Sequence, residues 1–130
     1  MSDDILSSMR VEELRIYKKA IEILPKVYEL AGQLPKNEYE LRSQLCNSAK
    51  AISAQIAEGF GKKQSQAEFK RFLFMALGSS DEAATHLRQI LVLRFSNVDF
   101  SLCDFLINEF NSESKQINAL IQKIREKSVI

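Results

Sequence analysis

The chain has 130 residues, of which 45% are apolar and 27% are charged, and its formal net charge is +1. This length and composition predict one globular domain with a sizeable core, and they exclude a polycation that binds nucleic acid through its overall charge. The chain contains only two prolines and four glycines, so long helices are expected. No apolar run approaches the roughly 20 residues that a membrane-spanning helix requires.

The cysteine content and the first residues favour a cytoplasmic protein. Cys46 and Cys103 are too few and too widely spaced for a disulfide framework or a zinc site. Both lie in segments of apolar periodicity, which predicts small core residues in a reducing compartment. Residues 1–5 have neither the basic region nor the apolar region of a signal peptide, so none is expected.

The first predicted helix runs from about Glu12 to Leu34 and follows a loose N-terminal tail at residues 1–10. Its apolar residues recur at steps of three and four, and this periodicity continues in phase on both sides of Pro25. A kink at the proline is therefore favoured over a break of the helix. A further apolar stripe, spaced by seven residues, widens the apolar face beyond what a lone bundle needs. This stripe is predicted to be an oligomer interface and consists of Ile16, Ile23 and Leu30.

Three more helices are predicted, and with the first they form a single four-helix-bundle domain at residues 11–130. The second helix carries many small residues and ends at Gly59 or Gly61. The third begins at a capping box headed by Ser65 and reaches about Arg94, and the fourth follows an N-cap at Asp99. No segment has the alternation of a strand, so the fold class is all-α.

A close crossing of the second and third helices is predicted from their small residues. Glycine within a helix is unfavourable by about 1 kcal/mol, and a close approach would explain its presence. Two carboxylates near the crossing need partners, and they are interpreted as salt-bridged or capping groups that fix it. The alternative, a pair for acid–base chemistry, lacks a nucleophile or metal ligand beside it. The predicted crossing residues are Glu58, Gly59, Gly78, Ser79 and Glu82.

The sequence gives little support for an enzyme. His86 is the sole histidine, and it lies four residues after Glu82 with no second pair of the kind that di-iron bundles use. The turn at residues 59–63 follows a helix and lacks the spacing of a phosphate-binding loop. We therefore expect no catalytic residue, no metal and no cofactor.

One stretch of the chain is locally basic. Between residues 42 and 71 there are six basic residues and two acidic ones, whereas residues 99–113 contain four acidic residues and no basic one. The turn between the second and third helices is therefore predicted to form a basic end that contacts phosphates, with a solvated polar turn as the alternative. The predicted nucleic-acid-binding residues are Arg42, Lys50, Lys62, Lys63, Lys70 and Arg71.

Three segments together resemble a known family. They are Val11 to Ala20, the run Ile56-Ala57-Glu58-Gly59, and Phe72 to Glu82, which includes Gly78-Ser79-Ser80. In this order and spacing they resemble the small bacterial proteins encoded in intervening sequences of 23S ribosomal RNA genes, to which accessory proteins of diversity-generating retroelements are related. The resemblance covers about residues 11–124.

The resemblance implies an antiparallel up-down-up-down bundle that assembles as a homopentameric ring and has no enzymatic activity. It also implies an RNA-binding or other nucleic-acid-binding protein, with structured RNA as the expected partner. The alternative is a protein-interaction adaptor, such as an accessory subunit of a reverse transcriptase; no membrane partner is expected. The family commonly has arginine where this chain has Cys46 or Asn47, and asparagine at the position of Gln55.

Overall fold

The computed structural model describes residue 6 and residues 8–127, with side chains as far as residue 124. Among these residues the regular structure is wholly helical, which confirms the all-α prediction. The α-helices are α1 (Arg15–Glu22), α2 (Leu24–Ala31), α3 (Tyr39–Gly61), α4 (Gln66–Leu93) and α5 (Phe100–Lys127), with short 3₁₀ helices at Val11–Glu13 and Lys36–Glu38. The helices α1 and α2 together make one arm, so the bundle has four arms.

The first arm is interrupted at Ile23 without ending there. The Ile23 N–H still donates to the Lys19 carbonyl at 3.1 Å, and the Ile23 carbonyl accepts from the Val27 N–H at 3.1 Å. Pro25 lies in the first turn of α2 and has no N–H to continue the helical ladder. The helix is therefore divided at Ile23, two residues before Pro25, and the hydrogen bonds that continue on both sides agree better with the predicted kink than with a break.

Neighbouring arms run antiparallel around the bundle. The arm α1–α2 packs against α3 and α5, and α4 packs against the same two helices, so the arm and α4 lie on opposite sides. Gln33 Oε1, which follows α2, accepts a hydrogen bond from the Asp99 N–H before α5 at 2.7 Å. Residues 32–38 and 94–99 therefore share one end of the bundle, called the loop end. The opposite end, called the turn end, holds residues 62–65, the start of α1 and the end of α5.

The apolar stripe of the first arm lies inside the bundle. Ile16, Ile23 and Leu30 are only 5%, 4% and 0% exposed, because the wide apolar face of the arm contacts both α3 and α5. The assignment of these three residues to an interface between subunits is therefore wrong. The apolar side chains that the arm leaves exposed are Ile21 at 44% and Tyr28 at 46%.

The close approach of α3 to α4 occurs at Gly59. A Cβ atom at Gly59 would lie 2.6 Å from the Cβ atom of Phe72, which is far inside normal contact. At Gly78 an added Cβ would meet nothing within 4 Å. The prediction that Gly78 lies at a close crossing is wrong because it is two residues, or about 200°, away from the buried Ala76 and Ser80. Gly78 therefore faces outward.

The predicted helix starts are confirmed at two caps. Ser65 Oγ accepts a hydrogen bond from the Glu68 N–H at 3.2 Å, and Asp99 Oδ1 accepts from the Leu102 N–H at 3.1 Å. The predicted tail is not loose throughout, because Leu6 is 8% exposed and Met9 packs against the core. The rest of that prediction, at residues 1–5 and 7, and the end of the predicted domain at residues 128–130 lie outside the described residues.

We predict opposite effects of alanine at two helical glycines. Gly59→Ala should lower the free energy of unfolding by about 1–3 kcal/mol, because the methyl group must displace Phe72. In a single subunit, Gly78→Ala should raise it by about 0.4–1 kcal/mol, because an exposed helical alanine reduces the freedom of the unfolded chain. Urea unfolding of both variants measures the difference, and equal stabilities would contradict the placement of the two glycines.

Candidate nucleic-acid interface

The turn that joins α3 to α4 is short and well bonded. The Lys62 and Lys63 N–H groups donate to the Gly59 and Phe60 carbonyls at 3.0 and 3.2 Å, and the Ser65 N–H donates to the Lys62 carbonyl at 3.0 Å. These bonds satisfy the backbone at the end of α3 and fix where the two lysines leave the helix. The lysines therefore stand at a defined corner of the molecule.

Both lysines of this turn contact aromatic rings. Lys62 Nζ lies 3.0 Å from Glu58 Oε2 and 5.7 Å from the ring centroid of Phe72. Lys63 Nζ lies 4.3 Å from the ring centroid of Phe60. The ion pair of Lys62 is exposed, so it contributes at most about 1 kcal/mol, and an anion from solution can compete for the lysine.

Arg71 lies beside them on the first turns of α4. Its Nε and Nη2 donate to the two carboxylate oxygens of Glu68 at 3.1 and 3.2 Å, and its Cζ lies 4.5 Å from the ring centroid of Phe72. The hydrogen bond between them lowers the pKa of Glu68 and raises that of Arg71, so both stay charged near neutral pH. These side chains form a turn cluster, which consists of Lys62, Lys63, Lys70, Arg71 and Phe72.

Two of the predicted binding residues lie elsewhere. Arg42 is at the loop end, where its guanidinium donates to the carbonyls of Ala31, Leu34 and Pro35 at 3.2, 3.1 and 2.9 Å. The expectation that Arg42 borders the turn is wrong, because twenty helical residues separate it from Lys62 by about 30 Å. Lys50 is exposed on α3, about 18 Å from Lys62 along the helix.

The turn end also holds basic residues that sequence reasoning did not include in the site. Arg10 and Arg15, at the start of the first arm, and Lys123, near the end of α5, are exposed at this end because neighbouring arms are antiparallel. Within residues 10–15, 58–71 and 123 there are seven basic and four acidic residues, a local charge of +3. The sequence could have indicated these residues only through the up-down topology, which brings the start of the first arm and the end of α5 to the turn end.

The residues assigned to the helix crossing have different roles. Ser79 Oγ donates to Gln55 Oε1 at 2.8 Å and so links α4 to α3. Glu58 pairs with Lys62, and Glu82 Oε2 lies 3.2 Å from His86 Nε2, each within four residues along the chain. The expectation that these carboxylates fix the crossing is wrong, because both point along their own helix and are more than half exposed.

The buried carboxylate of the bundle is Glu113, which the sequence reading missed. It is 0% exposed, and neither of its carboxylate oxygens has a hydrogen-bond partner; the same holds for Oε1 of Gln116. Burial raises the pKa of Glu113 to about 8, repulsion from Glu109 adds to the shift, and attraction to Lys19 opposes it. The sequence feature that could have revealed it is its position on the helix. Glu113 follows the core residue Phe110 by three positions and therefore lies on the same buried face.

An ion pair lies next to Glu113 at the contact between α1 and α5. Lys19 Nζ lies 2.6 Å from Glu109 Oε2, and both side chains are largely buried. Lys19 is therefore already engaged, and Glu113 is held mainly in its protonated form at neutral pH. Among the described residues, no three side chains of His, Cys, Asp or Glu cluster in a way that could hold a metal ion.

The family of the chain follows from its sequence match. The family model described as 23S rRNA-intervening sequence protein matches residues 12–124, which span nearly the whole helical bundle. The chain belongs to this family. The match includes Gly59 and Phe72, the two residues at the closest approach of α3 and α4. Among curated proteins, none matches the chain.

Over the described residues, no helix combines the length and the apolar content that a bilayer crossing demands.

We predict that Glu113 makes stability fall as pH rises. Between about pH 4.5 and 8 the folded state retains a proton that the unfolded chain has lost. The free energy of unfolding should therefore decrease by up to about 1.4 kcal/mol per pH unit in this window and level off above it. Glu113→Gln keeps the shape without the charge, so this variant should be the more stable one at pH 8.

The measurement is urea unfolding of wild type and Glu113→Gln at several pH values between about 4.5 and 9. Other carboxylates titrate equally in both proteins, so the difference between the two curves isolates Glu113. Parallel curves would show that Glu113 is ionised in the folded protein.

Proposed function

We propose that this chain is a non-enzymatic RNA-binding protein of the cytoplasm that holds structured RNA against its turn end. The observation that supports this most is the gathering of basic side chains from three separate parts of the chain at one end of the bundle. The proposal also agrees with a family that is named for sequences inserted in ribosomal RNA genes. No side chain is assigned a catalytic role.

Binding at this end would rest on phosphate contacts. Each phosphate that a lysine or arginine neutralises releases counterions, so affinity should fall steeply with salt. The carboxylates of Glu58 and Glu68 hold Lys62 and Arg71 in exposed ion pairs, which are weak enough for a phosphate to replace them. Such contacts position an RNA without reading its sequence.

We further propose that the subunits form a cyclic homo-oligomer, with five subunits implied by the family resemblance. Some of the exposed apolar side chains lie opposite one another across the bundle: Ile21 and Tyr28 on the arm, and Phe74 and Met75 on α4, all between 41% and 46% exposed. Two different faces on opposite sides favour head-to-tail contacts, which close into a ring when the rotation between successive subunits is a simple fraction of a full turn.

Gly78 is consistent with such a contact. It is an outward-facing glycine in the middle of a 28-residue helix, where alanine would be favoured by about 1 kcal/mol in a lone subunit. The open space beside it would admit a side chain from a neighbouring subunit. A ring would also repeat the turn cluster on every subunit, so that weak phosphate contacts act together.

The second candidate is a protein-interaction adaptor, such as an accessory subunit of a reverse transcriptase. It is favoured by an open apolar groove of about 490 Å³ toward the loop end, between the start of α3 and the end of α4. Val92 and Leu93 in its wall are 78% and 57% exposed. The lining residues are Leu41, Thr85, Arg88, Gln89, Val92 and Leu93.

We predict that charge reversal at the turn weakens RNA binding. The double variant Lys62→Glu with Lys63→Glu should lower affinity at least tenfold for every RNA sequence and flatten the dependence on salt, because phosphate contacts are lost. A salt titration by fluorescence polarisation, with structured RNA and duplex DNA, measures both effects. Lys26→Glu with Lys36→Glu changes the net charge equally away from the turn and serves as the matched control.

The outcomes separate the two candidate functions. Absence of binding by wild type at about 50 mM salt would contradict the RNA proposal and favour the adaptor. Unchanged affinity of the Lys62→Glu with Lys63→Glu variant would move any RNA contact away from the turn, toward the basic residues of the first arm.

We predict that the oligomer depends on the exposed face of the first arm. Ile21→Glu with Tyr28→Glu should shift sedimentation from an assembly to a monomer, because charge cannot be buried against an apolar partner surface. Gln122→Glu, at an exposed position of α5, is the control and should leave the assembly unchanged. A monomeric wild type at micromolar concentration would contradict the ring.

A further inference from the structure

Phe72 is an unusual aromatic residue because it lies at the surface within a group of cations. It is only partly buried, and α3 can accept it closely because Gly59 has no side chain there. The Cζ atom of Arg71 lies 4.5 Å from its ring centroid and Nζ of Lys62 lies 5.7 Å from it. The ring is thus fixed at its base by packing and lies beside two cationic groups.

A ring of this kind matches the chemistry of an unpaired nucleotide. Flat bases stack on aromatic side chains, and the adjoining cations can take the phosphates on either side of the base. In a duplex the base faces are already stacked on one another, and A-form RNA presents only backbone and groove edges. A phosphate-binding surface without such a ring would therefore distinguish loops from duplexes poorly.

We propose that Phe72 stacks on an unpaired RNA base, so that the turn cluster binds loops or single strands in preference to duplex RNA. This inference rests on the proposed RNA-binding function and names the class of RNA within it. Phe72 supplies the base contact, and Lys62, Lys63 and Arg71 supply the phosphate contacts.

In the free protein, two carboxylates hold cations close to the Phe72 ring. Glu68 holds the Arg71 guanidinium through two hydrogen bonds, and Glu58 holds Lys62, so both cations remain close to the ring in the free protein. These pairs are solvent-exposed and exchange readily. When a phosphate takes over Arg71, the guanidinium leaves the ring, and the base occupies the face that it covered.

The test compares wild type with Phe72→Leu and Phe72→Tyr. Leucine keeps an apolar side chain against Gly59 but removes the aromatic face, whereas tyrosine retains it. The probes are an unstructured single-stranded RNA, a hairpin with a large loop and a blunt RNA duplex, all with the same number of phosphates. Thermal unfolding of each variant verifies that the bundle is intact.

We expect wild type to bind the single strand and the hairpin about tenfold more tightly than the duplex, as one stacked base provides. Phe72→Leu should lose that preference while its affinity for the duplex stays unchanged, and Phe72→Tyr should retain it. A fluorescent adenine analogue in the single strand should be quenched by wild type and not by Phe72→Leu, which reports stacking directly.

Three results would overturn the inference. If Phe72→Leu binds the single strand as wild type does, Phe72 does not stack on RNA, although RNA binding itself stands. If Phe72→Leu weakens single strand and duplex equally, the ring only positions the cations. If wild type binds none of the three RNAs, the proposed RNA-binding function fails together with the inference.

Discussion

The contact between α3 and α4 at Gly59 determines the geometry of the turn end. Because a Cβ there would lie 2.6 Å from that of Phe72, no other residue permits this spacing without movement of α4. The same helix is tied to α5 on its other side, where Ser80 Oγ donates to the Phe110 carbonyl at 3.0 Å. The absent side chain at Gly59 therefore sets the spacing of α3 and α4 and places Phe72 beside the cations of the turn.

Periodicity predicted the helices well because it depends on local geometry, and the caps at Ser65 and Asp99 marked two of their starts. It could not tell Gly59 from Gly78. A glycine in a helix shows only that a Cβ is absent. Whether it faces the core or the solvent depends on its position along the helix relative to the buried residues. Likewise, the wide apolar face that contains Ile23 could have been covered by neighbouring helices or by another subunit, and its width alone does not distinguish these.

The candidate site was predictable only where its residues are close in sequence. Lys62 and Lys63 are adjacent, and Arg71 lies within the first two turns of α4 after a short loop, so their proximity follows from local structure. Arg42 was grouped with them by charge counting, which ignores the rise of 1.5 Å per helical residue. Arg15 reaches the same end only because the first arm is antiparallel to α3, and this is a property of the whole fold.

Glu113 is a buried carboxylate close to the contact between the first arm and α5. The arm meets α5 through the largely buried pair of Lys19 and Glu109, one turn away from Glu113 along α5. Because Lys19 is engaged by Glu109, ionised Glu113 would have no full counter-charge within the bundle, and burial of such a charge is strongly unfavourable. The neutral acid is therefore the form compatible with the docked arm.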